Sequence, residues 1–227
     1  MLLKLLPQMV IDGLQLGFVY AIVALGYTMV YGALHFINFA NAEIFMCGAF
    51  IGAETLIALL GSAASGGWTV FSFLLALLTA MVLTGLLGVG IERVAYRPLR
   101  SAPRLVPLIS AFGVSYFLQD FVRVAETFVH NSFYLTLPSI FKREFVLNEY
   151  TKVTVRAILI VGVCLAALAI LYTFIHRTKV GSAIRCVSQN QTMSALLGIH
   201  VNKTITTTFF VGAAMGGVAG TMFAIQY

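Results

Sequence analysis

Asn38, Asn41, Glu43 and Glu54 could do chemistry because they interrupt sequence that is otherwise apolar and rich in Gly and Ala. The first three fall in INFANAEIFMCGAF, Ile37 to Phe50. An ionised carboxylate at mid-bilayer costs about 2.5 to 3.5 kcal/mol on insertion scales, so an acid in such a run faces a cavity or a partner. Glu43 and Glu54 lie about three helical turns apart and hence on similar faces, which predicts a shared polar face or cavity. Two readings of the Asn-rich start coexist. Asn41 could be an N-cap with Glu43 near the positive helix end, satisfying orphan N–H groups. Alternatively, a discontinuous helix lines a substrate route, where irregular backbone is tolerated because it borders a cavity.

Other reactive types are scattered. Cys47 and Cys164 fall in apolar runs and Cys186 in a polar stretch, without the Cys/His spacing a metal needs, so they read as packing residues. His35, His130, His176 and His200 are dispersed, and no metal site or catalytic residue is expected among them. Ser115, in GVSY, lacks the GxSxG pattern and a well-placed base, which weakens an intramembrane enzyme reading. No GxxxxGK[ST] run appears, so any ATP hydrolysis belongs to another polypeptide.

The elements that must position these residues follow from composition. The 227 residues are 60% hydrophobic and 10% charged, too apolar for a soluble core with a polar surface. Apolar blocks recur near the 20 residues that cross a hydrocarbon core of roughly 30 Å. The fold class expected is all-α, a polytopic transmembrane helix bundle. Spans are predicted over Met9 to Tyr31, Asn41 to Leu60, Trp68 to Ile91, Leu105 to Val122, Ala157 to His176, and from Thr204 onward. The last run is still apolar at Tyr227, so 1–227 reads as one transmembrane domain that is C-terminally incomplete. Lys4 and the apolar residues after it could suggest a secretory signal, but Asp12 and Gln15 interrupt the run and a first span reads better.

The net charge of +6 sits between spans rather than along one amphipathic face, which excludes a nucleic-acid surface. Arg93, Arg97, Arg100 and Arg104 follow the third span, and Arg177, Lys179, Arg185 and Lys203 follow the fifth. The positive-inside bias turns both connections to the cytoplasm and the mixed-charge segment Arg123 to Arg156 outward. Glu92 and Asp120 are expected to pair locally, with Arg93 and Arg123, at the interface. Small residues four apart mark faces where helix backbones meet: Gly13 and Gly17, Gly48 and Gly52, and Gly212, Gly216 and Gly220. Packing within the bundle is the first reading of these, with a dimer seam or a pore lining as alternatives.

In the connection 177–203, Met193, Leu196 and Leu197 share one face of a predicted helix from Ser188 to Gly198. Asn190 or Ser188 can cap its start and Gly198 can end it. Such a helix could lie on the membrane surface.

Two blocks carry a resemblance: YAIVALGYTMVYGALHFINFANAEIFMCGAFIG, Tyr20 to Gly52, and RTKVGSAIRCVSQNQTMSALLGIHVNKTITTTFFVGAAMGGVAG, Arg177 to Gly220. With the span spacing, the chain resembles permeases of branched-chain amino-acid ABC transporters over essentially its whole length. The resemblance implies a bacterial inner-membrane, multi-pass subunit, about eight spans in a complete member, and a path for branched-chain or other hydrophobic amino acids. It implies as partners a second permease, homologous or identical, two cytoplasmic ATPase subunits that use ATP and Mg, and a periplasmic substrate-binding protein. It makes 177–203 a cytoplasmic coupling loop, in which Asn190, Met193, Ser194, Ala195, Leu196, Leu197 and Gly198 meet the ATPase. SALLG, Ser194 to Gly198, is similar to a degenerate form of the Ala-and-Gly motif that importers carry there. Family members commonly have His and Gly where this chain has Asn41 and Ala42, which puts the particular substrate in doubt. Urea, short amides or another small solute moved by the same machine is the alternative. A passive channel fits less well, for only one Asn-rich turn is evident and no Asn-Pro-Ala pair occurs.

Overall fold

In lipid every backbone N–H and C=O must find a partner within the chain, so long apolar runs fold as helices. The computed structural model describes residues 2–34, 36–60, 66–100, 102–103, 105–130, 144–148 and 151–226. Among them, six helices are long and apolar enough to cross a membrane. These are α1 (Leu2–Leu34), α2 (Asn41–Leu60), α3 (Gly66–Ile91), α4 (Leu105–His130), α5 (Val155–Arg177) and α8 (Val201–Gln226). Two short helices, α6 (Lys179–Gln189) and α7 (Gln191–Leu196), lie between α5 and α8. Among the described residues the bundle is all-α apart from one antiparallel strand pair before α5, in which β1 (Glu144–Asn148) pairs with β2 (Thr151–Thr154).

Helix α8 is the hub, packed against α1, α2 and α3. A β-carbon on Gly48 would stand 2.6 Å from the Gly217 α-carbon, and one on Gly212 would stand 2.9 Å from the Gly26 carbonyl oxygen. Gly52 meets the Thr221 side chain, and Gly220 meets the Phe45 carbonyl. Gly216 has more room, since its nearest neighbour, Ile44, is at ordinary contact distance. Backbone therefore rides on backbone, the approach that small residues permit between helices in lipid. Gly13 and Gly17 differ, because nothing stands within 4 Å of the β-carbon either could carry.

Two boundaries depart from expectation. The fourth helix continues past Val122 to His130; Asp120, Arg123 and Glu126 look like an interface in sequence, but the helix carries them onward. After Ile91 the third span passes into a π-helical turn, Glu92–Tyr96, where the Arg97 N–H bonds to the Glu92 carbonyl, and then a 3-10 turn, Arg97–Leu99. The π turn carries two wholly buried side chains, Glu92 and Tyr96.

Candidate functional site

The chain enters α2 through an ordered polar turn. The Asn38 side-chain oxygen accepts from the Ala40 N–H at 3.1 Å and from the Tyr96 hydroxyl at 2.6 Å. Tyr96 in turn sits edge-on to Phe36 and beside Phe209 of α8. The Ala40 carbonyl accepts the first bond of α2, from Ile44, so Ala40 holds the N-cap position and Asn41 is the first helical residue. Asn41 as N-cap is thus corrected: Asn38, two residues before Ala40, supplies the side-chain acceptor. Both asparagines are buried.

Glu43 lies in the first turn of α2, where the macrodipole favours an anion. Its side chain does not fold back on its own helix. Oε1 accepts from the Ser115 hydroxyl at 3.0 Å and from the Gln119 side-chain amide at 2.7 Å, both on α4. Two neutral donors one turn apart thus hold a carboxylate inside the bundle, and hydrogen bonds to a charged group are the stronger kind. A cavity of about 400 Å³ opens beside it, walled by Met46 and Phe50 of α2 and by Gln119, Arg123 and Glu126 of α4. A second cavity of about 410 Å³ shares Phe50, Val122 and Glu126 with the first. It runs on between α2, α3 and α4 past Glu54, with Leu83, Leu87 and Phe121 in its wall. Glu43 and Glu54 accordingly line two adjoining cavities with residues in common, whereas Asn38 braces the helix start.

A second buried polar cluster ties the end of the third span to α8. Glu92, wholly buried, is salt-bridged to Arg100 and accepts from the Thr206 hydroxyl at 2.9 Å. Arg100 also donates to Asn202 at 2.7 Å. The expected Glu92–Arg93 pair is corrected by this geometry, because the π turn and the 3-10 turn after it bring Arg100 back onto Glu92. Burial lowers the Arg100 pKa below the usual guanidinium value, Glu92 opposing the shift and Arg97 adding to it. The group remains a cation at any physiological pH. Asp120 and Arg123 do pair locally, at 3.7 Å and well exposed.

The connection after α5 holds two helices where one was expected from Ser188 to Gly198. Thr178 caps α6, its hydroxyl accepting from the Gly181 N–H at 3.0 Å. Asn190 ends α6 and caps α7, its side chain accepting from the Met193 N–H at 3.0 Å. Gly198 stops the segment with φ +81°, a left-handed conformation that glycine adopts without strain. Gln191 bonds to the Ala33 carbonyl at 2.8 Å, so α7 is tied to the end of α1. Ser194 is buried, but Met193, Leu196 and Leu197 are 59%, 77% and 78% exposed. These three form an outward apolar face on a short, capped helix.

Residues 9–227 match the family model described as branched-chain amino acid transport system / permease component. The chain belongs to this family. It is 37% identical over 225 residues to LivH of Escherichia coli strain K12, a high-affinity branched-chain amino acid transport system permease protein, covering 97% of this chain and 71% of that protein. Identity to BraD of Pseudomonas aeruginosa, which carries the same description, is 38% over 226 residues with the same coverage. LivH of Salmonella typhimurium is 36% identical over 225 residues, again covering 97% and 71%. No solved structure matches the chain. With six helices long enough to span and a permease family behind it, the chain is a multi-pass membrane protein.

Several of this permease's site residues escaped sequence reasoning. Gln119 gave no local signal; only its i, i+4 relation to Ser115, facing an acid on another helix, could have raised it. Ser115 read only as an isolated serine, and its hydroxyl serves Glu43 instead. Glu126 was assigned to the outer segment, yet it is buried on α4 where the two cavities meet. His35 and Arg104 lie outside the described residues.

Proposed function

We propose that this permease forms the translocation path of an ATP-driven importer in the bacterial inner membrane, carrying branched-chain or other hydrophobic amino acids inward. It works beside a second permease subunit, homologous or identical. Two cytoplasmic ATPases bind and hydrolyse ATP with Mg, and a periplasmic binding protein delivers the substrate. The observation that carries the reading is the Glu43 carboxylate, held by Ser115 and Gln119 beside a cavity between α2 and α4 that adjoins a second one. An acid maintained in an apolar bundle with room beside it is what a polar solute's route needs. Family membership and the substrate in the relatives' names add support.

Segment 177–203 is the coupling loop of this proposal. The exposed Met193, Leu196 and Leu197 insert into a groove of the ATPase, and Asn190, Ser194, Ala195 and Gly198 set the shape of the helix that presents them. Closure of the ATPases on ATP then pushes α7, which leads directly into α8, the hub of the bundle.

Copurification with ATPase subunits and ATP-dependent leucine uptake in proteoliposomes test the proposal; uptake that needs no ATPase overturns it. Charged replacements at Leu196 and Leu197 are expected to abolish transport with membrane insertion intact. Normal transport with retained ATPase association in those variants refutes the coupling role.

A further inference from the structure

The two adjoining cavities, here called chambers, differ in chemistry. The chamber beside Glu43 is amphoteric: carboxylates at Glu43 and Glu126, a guanidinium at Arg123 and an amide at Gln119 all border it. The adjoining chamber is walled mostly by hydrocarbon, including Ile51, Leu83, Leu87 and Phe121, with Glu54, Thr55 and Glu126 also in its lining. Each is about 400 Å³, within the roughly 300–1,000 Å³ of small-molecule pockets.

The hydrogen bonds say which groups still have capacity. Ser115 and Gln119 both engage Oε1 of Glu43, so Oε2 keeps its lone pairs for another donor. Arg123 has five N–H donors, and its contact with Asp120, at 3.7 Å in an exposed setting, occupies it only weakly. A cationic donor and an anionic acceptor are therefore both recognised in one chamber. A carboxylic acid lacking an amine would meet Glu43 with no ammonium to offset the repulsion, and an amine lacking a carboxylate would meet Arg123.

We infer that the first chamber binds the zwitterionic head of an α-amino acid, its ammonium on Glu43 and its carboxylate on Arg123, with the hydrocarbon side chain directed into the second chamber. The inference rests on the import reading above and adds the recognition chemistry within the permease itself. The ammonium removes the repulsion that Glu43 alone would exert on a substrate carboxylate. A zwitterionic lipid headgroup shares part of this chemistry, and the test separates the two.

The assembled wild-type transporter is reconstituted in phosphatidylcholine and phosphatidylglycerol vesicles, and modification of Glu43 by a hydrophobic carbodiimide is followed by mass spectrometry, with exposed Asp12 as internal reference. Leucine is expected to slow Glu43 modification at least threefold, while isocaproate, which lacks the ammonium, leaves it unchanged. Arg123→Gln should raise the leucine concentration needed for protection at least tenfold. Arg123→Lys should stay within threefold of wild type, and Asp120→Asn, which breaks only the exposed pair, within twofold. Protection by isocaproate equal to that by leucine, protection by short-chain phosphatidylethanolamine but not by leucine, or unchanged protection in Arg123→Gln overturns the inference. If leucine fails to protect a preparation that performs ATP-dependent leucine uptake, the binding site falls and the import function stands. If the wild-type complex carries out no ATP-dependent uptake, the import reading falls and takes the site with it.

Discussion

Helix α2 has two faces built on opposite rules. Gly48 and Gly52 press against α8 so closely that no β-carbon fits without displacement. Glu43, rotated from Gly48 by roughly 140° at 100° per residue, meets α4 through side-chain hydrogen bonds and leaves cavities on that side. The two neighbours differ accordingly. Helix α8 is mostly buried, whereas α4 is mostly not and exposes Tyr116, Phe117 and Phe121. Backbone contact gives α2 a fixed wall on one side, and polar contact gives it a yielding one on the other.

The strongest way to break the contrast is to fill the tight side. Gly48→Leu is expected to prevent the bundle from assembling, read as loss of a folded peak in detergent gel filtration, whereas Gly216→Ala should accumulate normally. The next effect comes from the buried ion pair that anchors α8 to the third span. Arg100→Ala leaves the Glu92 carboxylate buried without its cation and should cost about 3–5 kcal/mol in reversible unfolding in micelles. On the open side the penalty should be smaller: Gln119→Leu removes one hydrogen bond to a carboxylate, about 1.5–3 kcal/mol by the same measurement. Asn190→Ala should cost about 1 kcal/mol, the loss of one helix cap. Gly13→Ala and Gly17→Ala, with nothing near them, should stay within about 0.5 kcal/mol of wild type. A large effect at either would mean that this face of α1 is covered in the assembled transporter.

The spans were legible because twenty apolar residues in a row have few other structures open to them. Asn41–Leu60 was located from sequence with the bounds that the structure has, and the cap at Asn190 and the stop at Gly198 were readable because both are local. Helix contacts marked by small residues were legible too, but particular side-chain partners were not. Glu92 was assigned to its sequence neighbour Arg93, since nothing local announces that a π turn will bring Arg100 round instead. Asp120, Arg123 and Glu126 resembled the end of a span because charge in sequence does not say whether a groove waits beside it. The separate helix α6 is less legible for another reason: its polar residues, Lys179, Ser182, Arg185 and Ser188, recur at helical spacing, but it lacks the apolar Met193, Leu196 and Leu197 face that marks the segment after it.

The glycine seam has a consequence for how the protein is made. The most enclosed helix, α8, is translated after the helices that enclose it. Gly26 is already in the membrane when Gly212, the residue whose backbone it must touch, has yet to be synthesised. At about 5–20 residues per second the interval is on the order of ten to forty seconds. Throughout it, the small-residue faces of α1, α2 and α3 that pack on α8 in the folded protein are without that partner. Arrival of Val201–Gln226 supplies the missing partner, so the ribosome's progress to α8, rather than the insertion of the first helix, sets when these four helices can pack.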